Sequence, residues 1–196
     1  MKKIVLGVAL ALVAVQANAA DAGLGLSLRS NDARIYVPID FGKIRIEPSV
    51  RFLDTDSSTT TEDDAIFFPA TIVRDVDERT YELGVGVFGV TALMENVGVY
   101  YGARVAYIDT STTQHVRTQI GNSTSDSFID IETDGYRLSP TLGFEYKFNK
   151  HFSIGGEAEW FYEDVDSDLD QGNGTENSGD GSATGTATRL ILRFYF

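Results

Sequence analysis

Residues 187–196 read ATRLILRFYF. Leu190, Leu192, Phe194 and Phe196 fall at every second position, with Arg189, Ile191, Arg193 and Tyr195 between them. A period of two marks a β-strand with two unlike faces. One face is apolar and ends on aromatic rings, while the other carries two arginines. In a soluble protein such a strand is an aggregation-prone edge. In a closed membrane barrel it is not, because its apolar face meets lipid and both its edges are paired.

The same alternation recurs upstream. It predicts strands over Gly23–Arg29, Arg34–Phe41, Lys43–Leu53, Arg79–Phe88, Val97–Ile108, Tyr136–Phe148 and Phe152–Glu163, eight in all with the last. Most reach the ~9–11 residues a tilted strand needs to cross a bilayer. The connectors are mainly short and long by turns, the pattern of an up-and-down barrel with tight turns at one rim and long loops at the other. The fold class expected is therefore all-β: an eight-stranded antiparallel up-and-down transmembrane β-barrel. Three long polar segments, Asp54–Asp77, Asp109–Asp134 and Asp164–Thr186, read as solvated, mobile loops. Pro38, Pro48 and Pro140 fall inside predicted strands, where each removes a ladder donor, so bulges or strand ends are expected there.

The first nineteen residues read as a cleaved signal peptide. Lys2 and Lys3 precede a twelve-residue apolar run, Ile4–Val15, and Ala17-Asn18-Ala19 supplies a small-x-small cleavage site. The run is too short for a spanning helix, which needs ~20 residues. Residues 20–196 then form the barrel domain. There is no cysteine, so stability does not depend on disulfides. The net charge of −13 argues against nucleic acid as a partner.

Rim aromatics separate a membrane barrel from a soluble one. With the mature N-terminus in the periplasm, Phe41, Phe148, Phe152, Phe194 and Phe196 fall at the inner rim. Phe52, Tyr81, Tyr107, Tyr136, Trp160 and Tyr162 fall at the outer rim. Two such girdles suit the two membrane interfaces.

These features resemble the small eight-stranded outer-membrane barrels, such as OmpX and the transmembrane domain of OmpA. The resemblance rests on the last strand and on the strand–turn–strand YKFNKHFSIGGEAEW, and it extends over the mature chain. It implies a bacterial outer-membrane location and recognition of Leu190, Leu192, Phe194 and Phe196 by the barrel assembly machinery. It does not imply one function, since the family includes adhesins, structural proteins, narrow channels and enzymes. No peptidoglycan-binding domain follows the barrel, so the two-domain OmpA plan is not expected.

Chemistry has three candidate places. Alternation puts Arg34, Arg45, Arg51, Arg104, Arg137, Lys147, Arg189 and Arg193 in the lumen, against Asp40, Glu47, Glu82, Glu145, Glu157 and Glu159. Charges in so narrow a lumen must pair, and Glu157 and Glu159 are expected to meet Arg189 and Arg193. The reading is a structural ion-pair network, with a gated pore as its alternative. The acidic long segments are the second place. They are candidates for surface ligands and for weak divalent-cation bridging to lipopolysaccharide phosphates. Asp164–Asp170 is not an EF-hand, because Leu169 and Thr175 stand where glycine and glutamate are required. The third place is His151-Phe152-Ser153, which resembles the His-x-Ser part of the motif that a lipid A deacylase class uses together with a Glu; Glu163 or Glu159 matches the spacing of that Glu only loosely. Its turn position reads more simply as a hairpin end.

No catalytic residue, metal site or cofactor is assigned. The function expected is a structural or surface-interaction role of a monomeric outer-membrane barrel in contact with lipid and lipopolysaccharide. The alternatives are a narrow channel or an OmpW-like transporter of small molecules, and last a lipid A-modifying hydrolase.

Overall fold

The computed structural model describes residues 21–29, 32–63, 70–121, 123–170 and 176–196. The expected leader and the apolar insert Ile66-Phe67-Phe68 lie outside them. Among the described residues the elements are all β-strands: β1 (Asp21–Arg29), β2 (Asp32–Tyr36), β3 (Ile39–Asp40), β4 (Ile44–Asp63), β5 (Ala70–Met94), β6 (Val97–Ile120), β7 (Ser123–Lys147), β8 (Phe152–Asp170) and β9 (Glu176–Tyr195). Each neighbour pair is antiparallel. β1 pairs β9, while β2 and β3 both lie between β1 and β4, so the sheet closes on itself. β2 and β3 are two parts of one stave, and the barrel has eight staves.

Closure is staggered. From Arg34 the register partners run through Arg51, Glu82, Ile108, Gly135 and Val165 to Gly181 on β9. In the other direction they run through Ser27 to Ile191. The two arrivals on β9 differ by ten residues. This stagger tilts the staves and sets the barrel's width, leaving an interior that side chains can fill.

The prolines correct one expectation. Pro38 does end an element, between β2 and β3. Pro48 and Pro140 lie inside β4 and β7 with no register shift beside them; the shift that occurs is at Ala92/Met94. Each proline keeps its carbonyl, and those of Pro38 and Pro48 still accept from Gly23 and Val37 at 3.0 Å. The loss is one bond of a pair, which a closed ladder tolerates without bulging. At Pro140 the β7–β8 pairing skips from Leu138 to Thr141 and resumes in the same register.

The larger correction concerns the long polar segments. Their described residues are continuations of the staves, not loops. β4 pairs β5 up to Asp63↔Ala70, β6 pairs β7 up to Ile120↔Ser123, and β8 pairs β9 up to Asp170↔Glu176. Threonine-rich runs such as Thr59-Thr60-Thr61 favour extended backbone even where neither face is apolar. β1 and β2 do not join this extension. Six staves therefore rise as a tall wall on one side of the ring. β4 above Leu53 and β9 above Thr188 each have one edge with no ladder partner among the described residues.

Side chains alternate as expected. Val85, Val87, Leu142, Phe144, Leu190 and Phe194 are exposed on the outside. Tyr36, Phe88, Tyr100, Ile191 and Tyr195 are buried inside with the charged residues. Ile39 has the outward parity of the exposed Ile35 but is buried, with Ala22 and Ile46 as its register partners. The outer girdle is in place, with Phe52 against Tyr81 and Tyr107 against Tyr136 at ring centroids 5.1 and 5.6 Å apart. At the short-turn rim, Tyr146, Phe148, Phe152 and Phe194 form a chain of ring contacts.

Candidate functional site: the charged lumen

Two glycines make room for the lumen's rings. A Cβ on Gly143 would overlap the ring of Tyr100, and one on Gly25 would overlap Tyr36. Both rings can therefore lie flat on the wall. The Arg193 guanidinium sits 4.7 Å from the Tyr100 centroid and 5.3 Å from that of Tyr36. Such stacking suits a weakly hydrated guanidinium.

The charges form one connected network. At the short-turn end, Arg45 donates to Asp40 at 2.6 Å, to Glu145 at 2.9 Å and to the Tyr195 hydroxyl at 2.9 Å. Tyr195 in turn donates to Glu145 at 2.7 Å, as does Ser153 at 2.6 Å. At mid-height, Arg193 donates to Glu47 at 2.9 Å and to Glu145 at 3.2 Å. Arg104 donates to Glu47 at 2.8 Å and binds both oxygens of Glu157, which also accepts from Tyr100 at 3.0 Å. At the tall end, Glu82 accepts from Arg34 at 2.7 Å and from Arg137 at 2.6 Å, with Arg51 at 3.4 Å. Arg189 bridges Glu159 at 3.1 Å and Asp32 at 2.9 Å.

All eleven residues expected to make the lumen network — Arg45, Glu47, Arg51, Glu82, Arg104, Arg137, Glu145, Glu157, Glu159, Arg189 and Arg193 — thus lie in it, but their partners differ from expectation. Of the pairs proposed between Glu157 or Glu159 and Arg189 or Arg193, one forms, Glu159–Arg189. Glu157 stands in register with Arg189 yet turns across the barrel to Arg104, and Arg193 goes to Glu47 and Glu145. An arginine's reach lets it choose a distant carboxylate over its ladder neighbour. Lys147 is exposed at the rim, its Nζ 5.2 Å from the Tyr195 centroid.

Sequence reasoning missed Asp32 and Glu163, which cap the tall end on Arg189 and Arg137, and the phenols of Tyr100 and Tyr195. The signal was present for the two acids. Asp32 is two residues before Arg34 and Glu163 four after Glu159, so both keep the lumen's parity.

The arrangement closes the lumen. Glu47, Tyr100, Ser153 and Arg193 each have 0% relative exposure. A passage wide enough for water at their height would expose them. The ions are held in place because most of the carboxylates meet more than one donor, which offsets the cost of removing them from water; Glu159 accepts one hydrogen bond, from Arg189, with Arg34 3.7 Å from its other oxygen. His151 and Ser153 are separately engaged: the His151 Nδ1 lies 3.0 Å from the Tyr195 carbonyl, while Ser153 donates to Glu145. Glu159 and Glu163 are bound to arginines. Among the described residues no group of three or more His, Asp or Glu is arranged to hold a metal ion.

The last strand has the contacts its sequence suggests. β9 closes on β1 from Gly23↔Tyr195 to Leu28↔Leu190, and the Phe196 amide donates to the Ala22 carbonyl at 2.9 Å. Leu190, Phe194 and Phe196 are exposed on the outer face; Leu192 is half-buried there.

No protein-family model matches the sequence, and no curated protein resembles it in sequence. Solved structures do resemble the fold. A major outer membrane protein of Thermus thermophilus matches over 91% of this chain and 100% of its own, at 12% identity and a TM-score of 0.58. Neisserial surface protein A matches over 90% of this chain and 94% of its own, at 15% identity and a TM-score of 0.47. Ail, the attachment invasion locus protein of Yersinia pestis, matches over 90% and 95%, at 14% identity and a TM-score of 0.39. The Thermus likeness shows the fold, that of the outer-membrane β-barrels; the weaker two add no argument.

Proposed function

We propose that the protein is an integral barrel of the bacterial outer membrane with a structural or surface-interaction role, carried by its tall acidic wall. The observation that carries this reading is the contrast between a sealed lumen and a sheet extended beyond the girdle. Below the girdle, apolar side chains face outward and paired ions fill the inside. Above it, six staves continue with polar faces and two long edges that have no ladder partner among the described residues. A strand edge is a template for a partner's extended segment. The edge of β4 is flanked by Asp54 and Asp56, with Asp75 and Asp77 on the next stave. A basic segment therefore fits it better than an acidic one, and a second copy of this acidic chain would meet like charge.

The outward apolar band and the two girdles support the membrane location. Assembly through Leu190, Leu192, Phe194 and Phe196 follows from that location. The channel alternative has the filled mid-lumen against it. The test is twofold. In planar bilayers the protein should give no ion conductance, and on a sensor surface it should bind extended lysine-rich peptides but not glutamate-rich ones. Steady conductance would restore the channel reading, and equal binding of both peptides would remove the surface role assigned to the edges. Lipid A cleavage lost in Ser153→Ala would point to the hydrolase instead.

A further inference from the structure

We propose that the outer face of β7–β9 holds a seat for one acyl chain of a lipid whose headgroup bears an ammonium group. The inference rests on the membrane location proposed above.

The seat is a step in side-chain size along one register row. Tyr101, Leu142, Ala158 and Thr188 are consecutive partners on β6, β7, β8 and β9. Tyr101 and Leu142 project outward, at 59% and 58% exposure, and Ala158 and Thr188 leave the surface low. Trp160 stands above on β8 and Phe144 below, its ring leaning onto Gly156. Two hollows of about 580 and 400 Å³ result, which share Leu142, Ala158 and Thr188 and so form one groove. Their surface is almost wholly apolar. A chain lying there rests on Ala158 and Thr188 and lies against the side of Leu142 and Tyr101, so it meets more protein than on a level stretch of wall. The added dispersion contacts are the source of preference, since lipid tails gain nothing from a hydrophobic effect inside a bilayer.

The height of the groove limits the lipid. It ends at Trp160, in the outer girdle, so the chain belongs to the outer leaflet. Above it the outward face is acidic: Asp164 on β8, then Asp134, Asp166 and Asp180 side by side on β7, β8 and β9. The outward positions of β7 from Asp126 to Tyr136, of β8 from Trp160 to Asp170 and of β9 from Ser178 to Thr188 hold neither lysine nor arginine. An uncompensated anionic headgroup is repelled there, and an ammonium group is attracted. The carboxylates bias the choice of headgroup, while the groove supplies the seat.

Trp160 is the chain's sole tryptophan and forms part of the groove wall, so it reports directly. The protein is placed in mixed vesicles of phosphatidylethanolamine and phosphatidylglycerol, with bromine on the chains of one lipid or of the other at equal content. Brominated phosphatidylethanolamine should quench Trp160 more strongly, by roughly threefold, the worth of one exposed ammonium–carboxylate pair. Ala158→Leu fills the groove at an exposed position and should reduce the two quenching constants to equality. Equal quenching in the unaltered protein, a preference for phosphatidylglycerol, or a preference that survives Ala158→Leu would each overturn the proposal. Quenching by neither lipid would show that the protein is not inserted, so the membrane reading itself would fall.

Discussion

Replacing Arg104 with leucine should destabilise the barrel severely, and replacing its partner as well should restore much of the loss. Arg104 is buried at mid-lumen and holds Glu157 and Glu47 together. Without it, Glu47 still has Arg193 at 2.9 Å and Arg45 at 3.9 Å. Glu157 keeps only the Tyr100 hydroxyl at 3.0 Å, with no second cation within 4.0 Å among the described residues. Arg104→Leu thus leaves one uncompensated carboxylate in a dry interior, at a cost of about 3–5 kcal/mol. That is about two to four orders of magnitude in the folded-to-unfolded ratio. In Arg104→Leu/Glu157→Leu the stranded charge is gone. What remains is the loss of one of Glu47's partners and of the acceptor for Tyr100, the latter about 1–3 kcal/mol. The double variant should therefore be more stable than the Arg104→Leu single variant by roughly 2 kcal/mol, so the two losses are far from additive. Equilibrium urea unfolding from vesicles, followed by Trp160 fluorescence with gel mobility as a check on folding, measures both. An Arg104→Leu loss below about 1 kcal/mol, or a double variant as unstable as the sum of its parts, would refute the view that each lumen charge is held in place by its partners.

Three other outcomes follow from the wall and its closure. The Thr60 N–H points to the free edge of β4 and that of Thr61 into the ladder with Ile72. Thr60→Pro should leave the β4–β5 hairpin resistant to protease, whereas Thr61→Pro should open it to cleavage. Asp126 accepts from Arg117 at 2.9 Å on the exposed face of β6–β7, and this hydrogen bond holds its carboxyl below the ordinary value of 3.8. The tie is complete above the unfolded-state pKa and is lost as pH falls through the lower folded value. An NMR titration should place the Asp126 midpoint below 3.8 and raise it toward that value in Arg117→Ala, with His115 at 3.5 Å keeping part of the lowering; an unmoved midpoint would deny the contact. The Phe196 ring is 77% exposed, while its amide closes β9 on β1. Deleting the residue should slow acquisition of the heat-modifiable folded form more than Phe196→Ala does, and equal rates would assign the effect to the ring.

Much of the barrel wall can be read from the chain because one physical rule governs it. Where one face meets lipid and the other a filled lumen, apolar and charged residues must alternate, and the spacing of Ile44, Ile46, Val50 and Phe52 against Arg45, Glu47 and Arg51 shows it. Beyond the girdle both faces are polar or mixed. Runs such as Ser57–Thr61 then lose the alternation, and strand looks like loop. β-propensity was the remaining clue, since threonine-rich hairpin arms are poor candidates for mobile segments. The prolines misled for a different reason. Counting a lost donor does not say whether the rest of the ladder can carry the loss, and around Pro48 and Pro140 it does.

The candidate site divides along the same line. Period-two spacing by itself determined which side chains enter the lumen, because a strand offers each residue one of only two faces. The partners were decided by closure. Closure of β9 on β1 brings Arg193 of β9 within reach of Glu47 of β4, and the pairing of β6, β7 and β8 brings Arg104 within reach of Glu157, residues far apart in sequence. Long guanidinium side chains then cross the lumen to whichever carboxylate gives the best hydrogen bonds. For the last strand, sequence determined an apolar aromatic face and a basic one. Only the closed barrel decided that Arg189 would answer Glu159 and Asp32, and that Arg193 would lie between Tyr36 and Tyr100 as part of the plug. Local backbone geometry is enough to assign a face, but an ion pair across a lumen exists only once all eight staves are in place.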